Sequence, residues 1–454
     1  MTGLLSALAH RAKAISIKNV PFKVRETAKL GLSDFFAVTV AGQGMPVVRN
    51  TLSYAQEVLP TQGDSVLLGS SCRTHFLVAA LANATAGHAL DFDDVSWSTI
   101  GHPSVAVAPI SFALAQHTHA SGEKILLSYI LGVELMHQIA RWTMPALSER
   151  GWHTTPTNGV FGATTAAAIL LNLSEEQFTH ALGIAATRAF GLRANFGSQT
   201  KALHAGLCAQ TGIECALLAK HGITSRDNAI ETADGYAQCF CNIEKQNYSI
   251  KLGEFWDLEN VGLVIKQYPC CSGTHPTLDV WGEFIDRHDI RIDEIANIEA
   301  GVSLLGPREL SCHKPVNAVQ AKFSLEYAIA SRLIYGDITI DSFSEEKVND
   351  PRIQSLMKRI HMFIDPELAK LGFIGTAPIR MKVVLKNGSE FHLSNDLAQG
   401  NPEKPLSESQ FSKKFKNCVT RYAPENLTQQ WYEQLQTLEK QNTETIFSIG
   451  LLPQ

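Results

Sequence analysis

Residues 76–94 read FLVAALANATAGHALDFDD. From Phe76 to Leu90 small side chains recur at nearly every turn, with no Asp, Glu, Lys or Arg among them. That texture predicts a helix in close contact with other helices inside a buried bundle. It runs directly into three carboxylates in four residues, Asp91, Asp93 and Asp94. Carboxylates at a helix C-terminus oppose its macrodipole and repel one another unless cations or donors lie nearby, so a functional cluster is preferred here over a solvated helix terminus feeding a loop. His88 and Asp91 stand three apart, a spacing that predicts a shared helical face.

Outward from this stretch the chain keeps the same Ala- and Leu-rich helical texture to about residue 265. Ser174-Glu175-Glu176-Gln177 has the form of a capping box opening the amphipathic run Phe178–Phe190. Gly206–Ala219 is another small-residue helix, stopped near Gly222. After residue 266 the pattern changes. Ile298–Leu305 alternates like a strand, and Ile379–Leu385 and Glu390–Leu393 flank Asn387-Gly388, a hairpin turn. Ala321–Tyr335 and Pro351–Ile364 read as helices between them. Helical periodicity returns around Phe411–Tyr422 and Leu427–Gln441, in a tail expected to fold back on the first domain. The expectation is a mainly α protein: a helical domain over 1–266 and 398–454, and a smaller α+β domain over 267–397. A chain of 454 residues exceeds what one core usually organises.

Bulk composition narrows the function. The net charge is −5 and the pI about 6.3, which argues against a nucleic-acid partner. An anionic substrate would need locally placed cations. The N-terminus lacks an uninterrupted signal-like apolar region, and apolar runs such as Ala163–Leu173 are too short to span a bilayer, so a cytoplasmic protein with no membrane partner is expected. The nine cysteines include no C-x-x-C pair, which predicts reduced, mostly buried thiols. No G-x-G-x-x-G, Walker, G-x-S-x-G or H-E-x-x-H motif occurs. A D-D-x-x-D site fails because Trp97 stands at its last carboxylate. Cys and His spacing gives no tidy metal site, and none is assigned, although one assembled from His102, His153 and His275 stays open.

Four clusters could carry chemistry. The first is 88–104, with His88, Asp91 and the G-H-P-S of Gly101–Ser104. The second is Thr200–Gly206, where Lys201 and His204 share a helical face. A lysine there is ordinarily solvent-facing; its functional alternative is a carboxylate clamp or a stabiliser of enolate charge. The third is Gly151–Gly159, a turn-rich loop around His153 entering a helix at Phe161. The fourth is Lys266–His275 at the domain junction, where ligand sites form. Of its adjacent cysteines at most one can enter a site.

In this order the clusters resemble the MmgE/PrpD family: HALDFDD with GHPS (88–104), GWHT with GVFGA (151–163), TKALHAG (200–206), YPCC with His275 (268–275), AKFSLEY (321–327) and PLS (405–407). The resemblance covers almost the whole chain. It implies a large helical domain built from both chain ends with an α+β lid, a homodimer, a site between helical domain and lid, and chemistry without iron–sulfur cluster or other cofactor. The family's polar pocket falls on Asp91, His102, His153, Lys201 and Lys266, with Cys271 at a position often filled by histidine; His204 and His275 complete the candidate substrate-binding set. Val95 replaces a threonine found in many members. Asp93, and Val105-Ala106 after H-P-S, depart from the methylcitrate dehydratase pattern, and a tyrosine of some decarboxylases has no counterpart near Leu310–His313.

The resemblance implies a lyase, dehydratase or decarboxylase, acting on a small di- or tricarboxylate such as 2-methylcitrate or cis-aconitate. His102 is the expected acid–base group, Asp91 orients it, Lys201 and Lys266 grip carboxylates, and His153 is a second acid–base group. An epimerase of the iminodisuccinate type is the alternative, and a non-catalytic helical dimer the third reading.

Overall fold

The computed structural model describes residues 3–243 and 248–453. Long helices dominate its first 220 residues: α1 (Phe22–Gly42), α2 (Phe76–Ala89), α3 (Pro103–Thr118), α4 (Gly122–Thr143), α5 (Thr154–Leu170), α6 (Glu175–Thr187) and α7 (Gln199–Lys220). Small residues let them approach closely. A Cβ on Gly206 of α7 would fall 2.6 Å from the Leu81 carbonyl oxygen and 2.2 Å from Thr85 Oγ1 of α2, so only glycine fits there. Helix α7 is long and apolar enough to cross a membrane by composition, but 67% of the window that meets that test is buried inside the protein. Its apolarity serves the bundle, where it packs on α2, α5 and α6.

Ser174 caps α6 through the Gln177 amide, and Gln177 reaches back to the Ser174 amide, a complete capping box. The helix expected to begin at Phe161 begins seven residues earlier, at Thr154. Pro156 reads as a turn former, but a proline in the first turn interrupts no intrahelical hydrogen bond.

One hydrophobic core runs from Leu5 to Ile265 and takes in Phe411, Phe415, Cys418, Trp431 and Ile449 from the far end of the chain. Phe36 of α1 stacks on Phe415 at 6.0 Å and meets the edge of Trp431 at 5.5 Å.

A second core runs from Cys270 to Leu385. It combines α8 (His275–His288), the short α9 (Gly306–Glu309), α10 (Leu325–Tyr335) and α11 (Pro351–Met357) with a four-stranded sheet. The strands are β1 (Ile295–Val302), β2 (Ile360–Ile364), β3 (Ile379–Leu385) and β4 (Glu390–Asn395), ordered β2-β1-β3-β4. β1 is parallel to β2 and antiparallel to β3. The β3–β4 hairpin turns at Gly388, whose φ is +88°. Two expectations are corrected here. Residues 351–364 are not one helix: α11 ends at Met357, and Ile360–Ile364 pairs with β1 as an edge strand, its conformation chosen by that sheet partner. Ala321–Tyr335 is also interrupted, and Ser324 caps α10 by accepting from the Tyr327 amide.

Candidate active site

Three helices begin at one place. His102 is the residue preceding α3, His153 the residue preceding α5, and Lys201 sits in the first turn of α7. Together with Asp91, just past the end of α2, they line a cleft that also takes in Lys266, Cys271 and Glu309. The cleft is narrow, with a cavity volume of about 30 Å³. The first turns of helices carry unpaired N–H groups and the positive ends of the helix dipoles, which makes such a meeting point favourable for anions.

The acidic turn is organised by cations, as its charge demands. Helix α2 stops at Ala89 and Asp91 adopts a left-handed conformation, φ 52°. His88 and Asp91 therefore do not share a helical face. His88 Nδ1 instead contacts Asp93 at 2.9 Å. Lys201 Nζ donates to Asp91 Oδ1 at 2.8 Å, and Lys266 Nζ donates to the same oxygen at 3.0 Å and to the Asp91 carbonyl at 2.8 Å. Lys322 Nζ donates to the Ala89 carbonyl at 2.8 Å, satisfying an orphan group at the end of α2 with a positive charge, the sign the dipole favours. From the tail, Lys414 Nζ donates to the Phe92 carbonyl at 3.0 Å and pairs with Asp34 at 2.6 Å. Behind the turn, Ser104 donates from its amide and hydroxyl to Asp94.

Protonation follows from these contacts. Burial raises the Asp91 carboxyl, but Lys201, Lys266 and the nearby imidazoles outweigh it and hold the group well below its ordinary value. Asp93 is likewise raised by burial and lowered further by His102 and His88. Burial lowers His102 in spite of Asp93, lowers His88 to about 4, and lowers His153 and His204, the last to about 4. All four imidazoles are neutral at pH 7. Burial lowers the Lys266 ammonium too, but Asp91 and Asp93 more than reverse it, so it stays charged. Burial pushes the Cys271 thiol well up, so it lines the cleft as a protonated thiol. Cys270 points elsewhere, with Sγ 3.1 Å from Thr274 Oγ1.

Six of the eight residues singled out from sequence line this cleft: Asp91, His102, His153, Lys201, Lys266 and Cys271. His204 does not; it stands behind His153, with the two Nδ1 atoms 3.0 Å apart, one ring donating to the other. His275 is also off the cleft, its Nε2 bonded to the Cys270 carbonyl and its ring edge-on to Tyr268. Lys201 is buried, against the ordinary expectation for such a position. The partner of His102 differs as well. His102 Nδ1 lies 3.0 Å from Asp93, whereas its Nε2 is 3.7 Å from Asp91. Asp93 is thus the nearer of the two carboxylates, at ion-pair distance but without hydrogen-bond geometry at Nδ1.

Sequence reasoning passed over Asp93, Lys322 and Glu309 as site residues. Lys322 lies inside the AKFSLEY segment, which was the available signal; Glu309 carried none.

His88, Asp91, Asp93 and His102 each place a ligand atom within 4.8 Å of one another, a set that could hold a metal ion. Two ammonium groups already sit on Asp91, so a divalent cation there would face both of them across a few ångströms. The charge of the acidic pair is balanced by protein cations.

Residues 6–249 match the family model for the MmgE/PrpD N-terminal domain, and residues 268–440 match that for the MmgE/PrpD C-terminal domain. Among curated relatives, the cis-aconitate decarboxylase of Mus musculus is 24% identical, covering 92% of this chain and 86% of its own. That of Homo sapiens is 28% identical over 74% of this chain and 71% of its own, and that of Aspergillus terreus 23% identical over 92% and 89%.

Proposed function

The chain belongs to the MmgE/PrpD family, and from that premise we propose that it is a cofactor-independent lyase, a dehydratase or decarboxylase, acting on a small polycarboxylate. The observation that carries this reading is the convergence of Lys201 and Lys266 on Asp91 beside two neutral imidazoles, in a cleft bordered by both cores. A reaction at a carbon next to a carboxylate builds negative charge on carbon and oxygen. Ammonium groups and helix starts offset that charge, more effectively where water is excluded.

His102 is the acid–base group in this proposal. Asp93 at ion-pair distance from Nδ1 favours the tautomer with the proton there, which leaves Nε2 free to take or give one. Asp91 Oδ2 and His153 Nε2 have no hydrogen-bond partner among the described residues, so both are available to a substrate. His153 is the second acid–base group, oriented by His204. Two neutral imidazoles from different helix starts would also suit inversion at a stereocentre, which favours the epimerase as the second reading.

The experiment is incubation with cis-aconitate, 2-methylcitrate, citrate and iminodisuccinate in deuterated water, followed by NMR. Release of water or carbon dioxide identifies the lyase and its substrate. Deuterium entering with inversion and no lost group identifies the epimerase. Silence across the panel ends both. His102→Ala should lower turnover by about 10²–10⁴-fold with circular dichroism unchanged; full activity would remove His102 from the scheme. Homodimer formation in the cytoplasm is part of the proposal, and a monomeric mass in light scattering would count against it.

A further inference from the structure

We propose that His204 is the relay through which His153 exchanges its proton with solvent while the cleft is closed. The inference rests on the polycarboxylate reading, in which His153 is an acid–base group, and adds the route by which that group is reloaded.

The size of the cleft calls for such a route. Its cavity of about 30 Å³ has room for roughly one or two water molecules, which a bound acid would displace. His153 Nε2 is enclosed and meets no protein partner among the described residues, so it serves the substrate alone. The other nitrogen, Nδ1, lies 3.0 Å from His204 Nδ1, and either ring can carry the proton between them. Both rings are held in place, His153 edge-on to Phe196 at 5.0 Å and His204 edge-on to Phe190 at 6.1 Å. His204 stands outside the cleft lining. Its Nε2 has no protein partner among the described residues and, unlike His153 Nε2, is not sealed from solvent. The two imidazoles thus form a continuous line from the cleft, through the paired Nδ1 atoms, to water.

At rest His204 donates its Nδ1 proton to His153 Nδ1, and His153 carries its own proton on Nε2. A solvent proton binds the lone pair of His204 Nε2. The Nδ1 proton of His204 then passes to His153 Nδ1, and the Nε2 proton of His153 passes to the substrate carbon. One proton has entered from water and one has gone to carbon; both rings end neutral, with the hydrogen bond between them reversed. Opening of the cleft resets the tautomers. A water proton binds His153 Nε2, the Nδ1 proton returns to His204, and His204 Nε2 releases one to solvent. Decarboxylation has most need of this supply, because carbon dioxide leaves without a proton and the bonding pair left on carbon must take one up. Burial, then His88 and Lys201, disfavour charge on His204, and burial with His88, Lys201 and His102 does so on His153, so an entering proton is passed on rather than kept.

His204 acts through His153 and is a positioning residue unless the proton itself moves, and two variants separate these roles. His204→Gln can still hydrogen-bond His153 Nδ1 but cannot pass a proton through; His204→Ala leaves a hole beside it. Melting curves establish folding. On whichever acid of the panel is turned over, kcat should fall about 10²-fold in both variants with KM unchanged. Added imidazole should restore most of the loss in His204→Ala, whereas pyrazole, a ring of the same size that is barely basic, should not. Rescue by both, or full activity in His204→Gln, overturns the relay and leaves His204 only holding the His153 ring. A second readout needs no substrate. By NMR of the histidine ring protons, the Nδ1 proton of His153 should exchange with water several-fold more slowly in His204→Gln than in the intact protein. Equal exchange also overturns the relay. Slowed exchange in a protein that turns over none of the acids would remove the lyase reading and leave the proton path standing.

Discussion

A single oxygen, Asp91 Oδ1, receives both Lys201 and Lys266. Removing one partner from a buried ionic group is costly because the other charges are left uncompensated, on the order of 3–5 kcal/mol. Asp91→Asn should therefore lose stability of that order in urea titration as well as substrate affinity. An unchanged midpoint would mean that the ammonium groups find other partners. The sign of the pH effect follows from the depressed carboxyl. Its contribution is present above the ordinary value of 3.8 and is lost as pH falls toward the folded value. Asp91→Asn should flatten that acid limb.

Among the elements, α2 and α7 meet through Gly206. Gly206→Val would drive its side chain into Leu81 and Thr85. Overpacking of this kind costs about 1–3 kcal/mol, and because Lys201 rides on the same helix, a lowered melting temperature should be accompanied by lost activity. On α4, Glu134 accepts from the Asp257 and Leu258 amides and is raised to about 8 by burial. A raised carboxyl contributes stability below its unfolded value and loses it as pH climbs through the folded one. Relative to the parent, Glu134→Gln should therefore gain melting temperature steadily from pH 5 to pH 8; parallel curves would contradict the assignment. These elements also mark what the sequence disclosed. Ser174 with Gln177, and Asn387-Gly388, act through neighbours a few residues away and were legible. Strand β2 was not, because five apolar-rich residues after a helix satisfy either period until a sheet partner chooses. The site residues found from sequence belonged to motif clusters. Asp93 in its role on His102, and Glu309, depend on which side of a turn the backbone faces, and that is set by tertiary packing.

For the whole molecule, buried imidazoles govern the acid side of stability. His88, His204 and His275 titrate at about 4, 4 and 3 in the fold, against an ordinary 6.5. Unfolding below pH 6.5 takes up protons, so stability falls toward pH 4, by up to about 1.4 kcal/mol per pH unit for each ring. Glu134 and Glu309, raised from 4.5 to about 8 and 7, act in the opposite direction as pH climbs from 4.5 through those values. Melting temperature should peak near pH 6.5; a monotonic profile would contradict this balance. The tail has a consequence of its own. Lys414 supplies the counter-charge to Asp34 and a donor to the carbonyl of Phe92, more than three hundred residues upstream. While a ribosome is still making the last helices, the acidic turn beside the cleft has one of its supports missing. Translation must therefore pass residue 414 before a nascent chain can hold a finished pocket, so stalled or shortened products should be inert even with every cleft-lining side chain already in place.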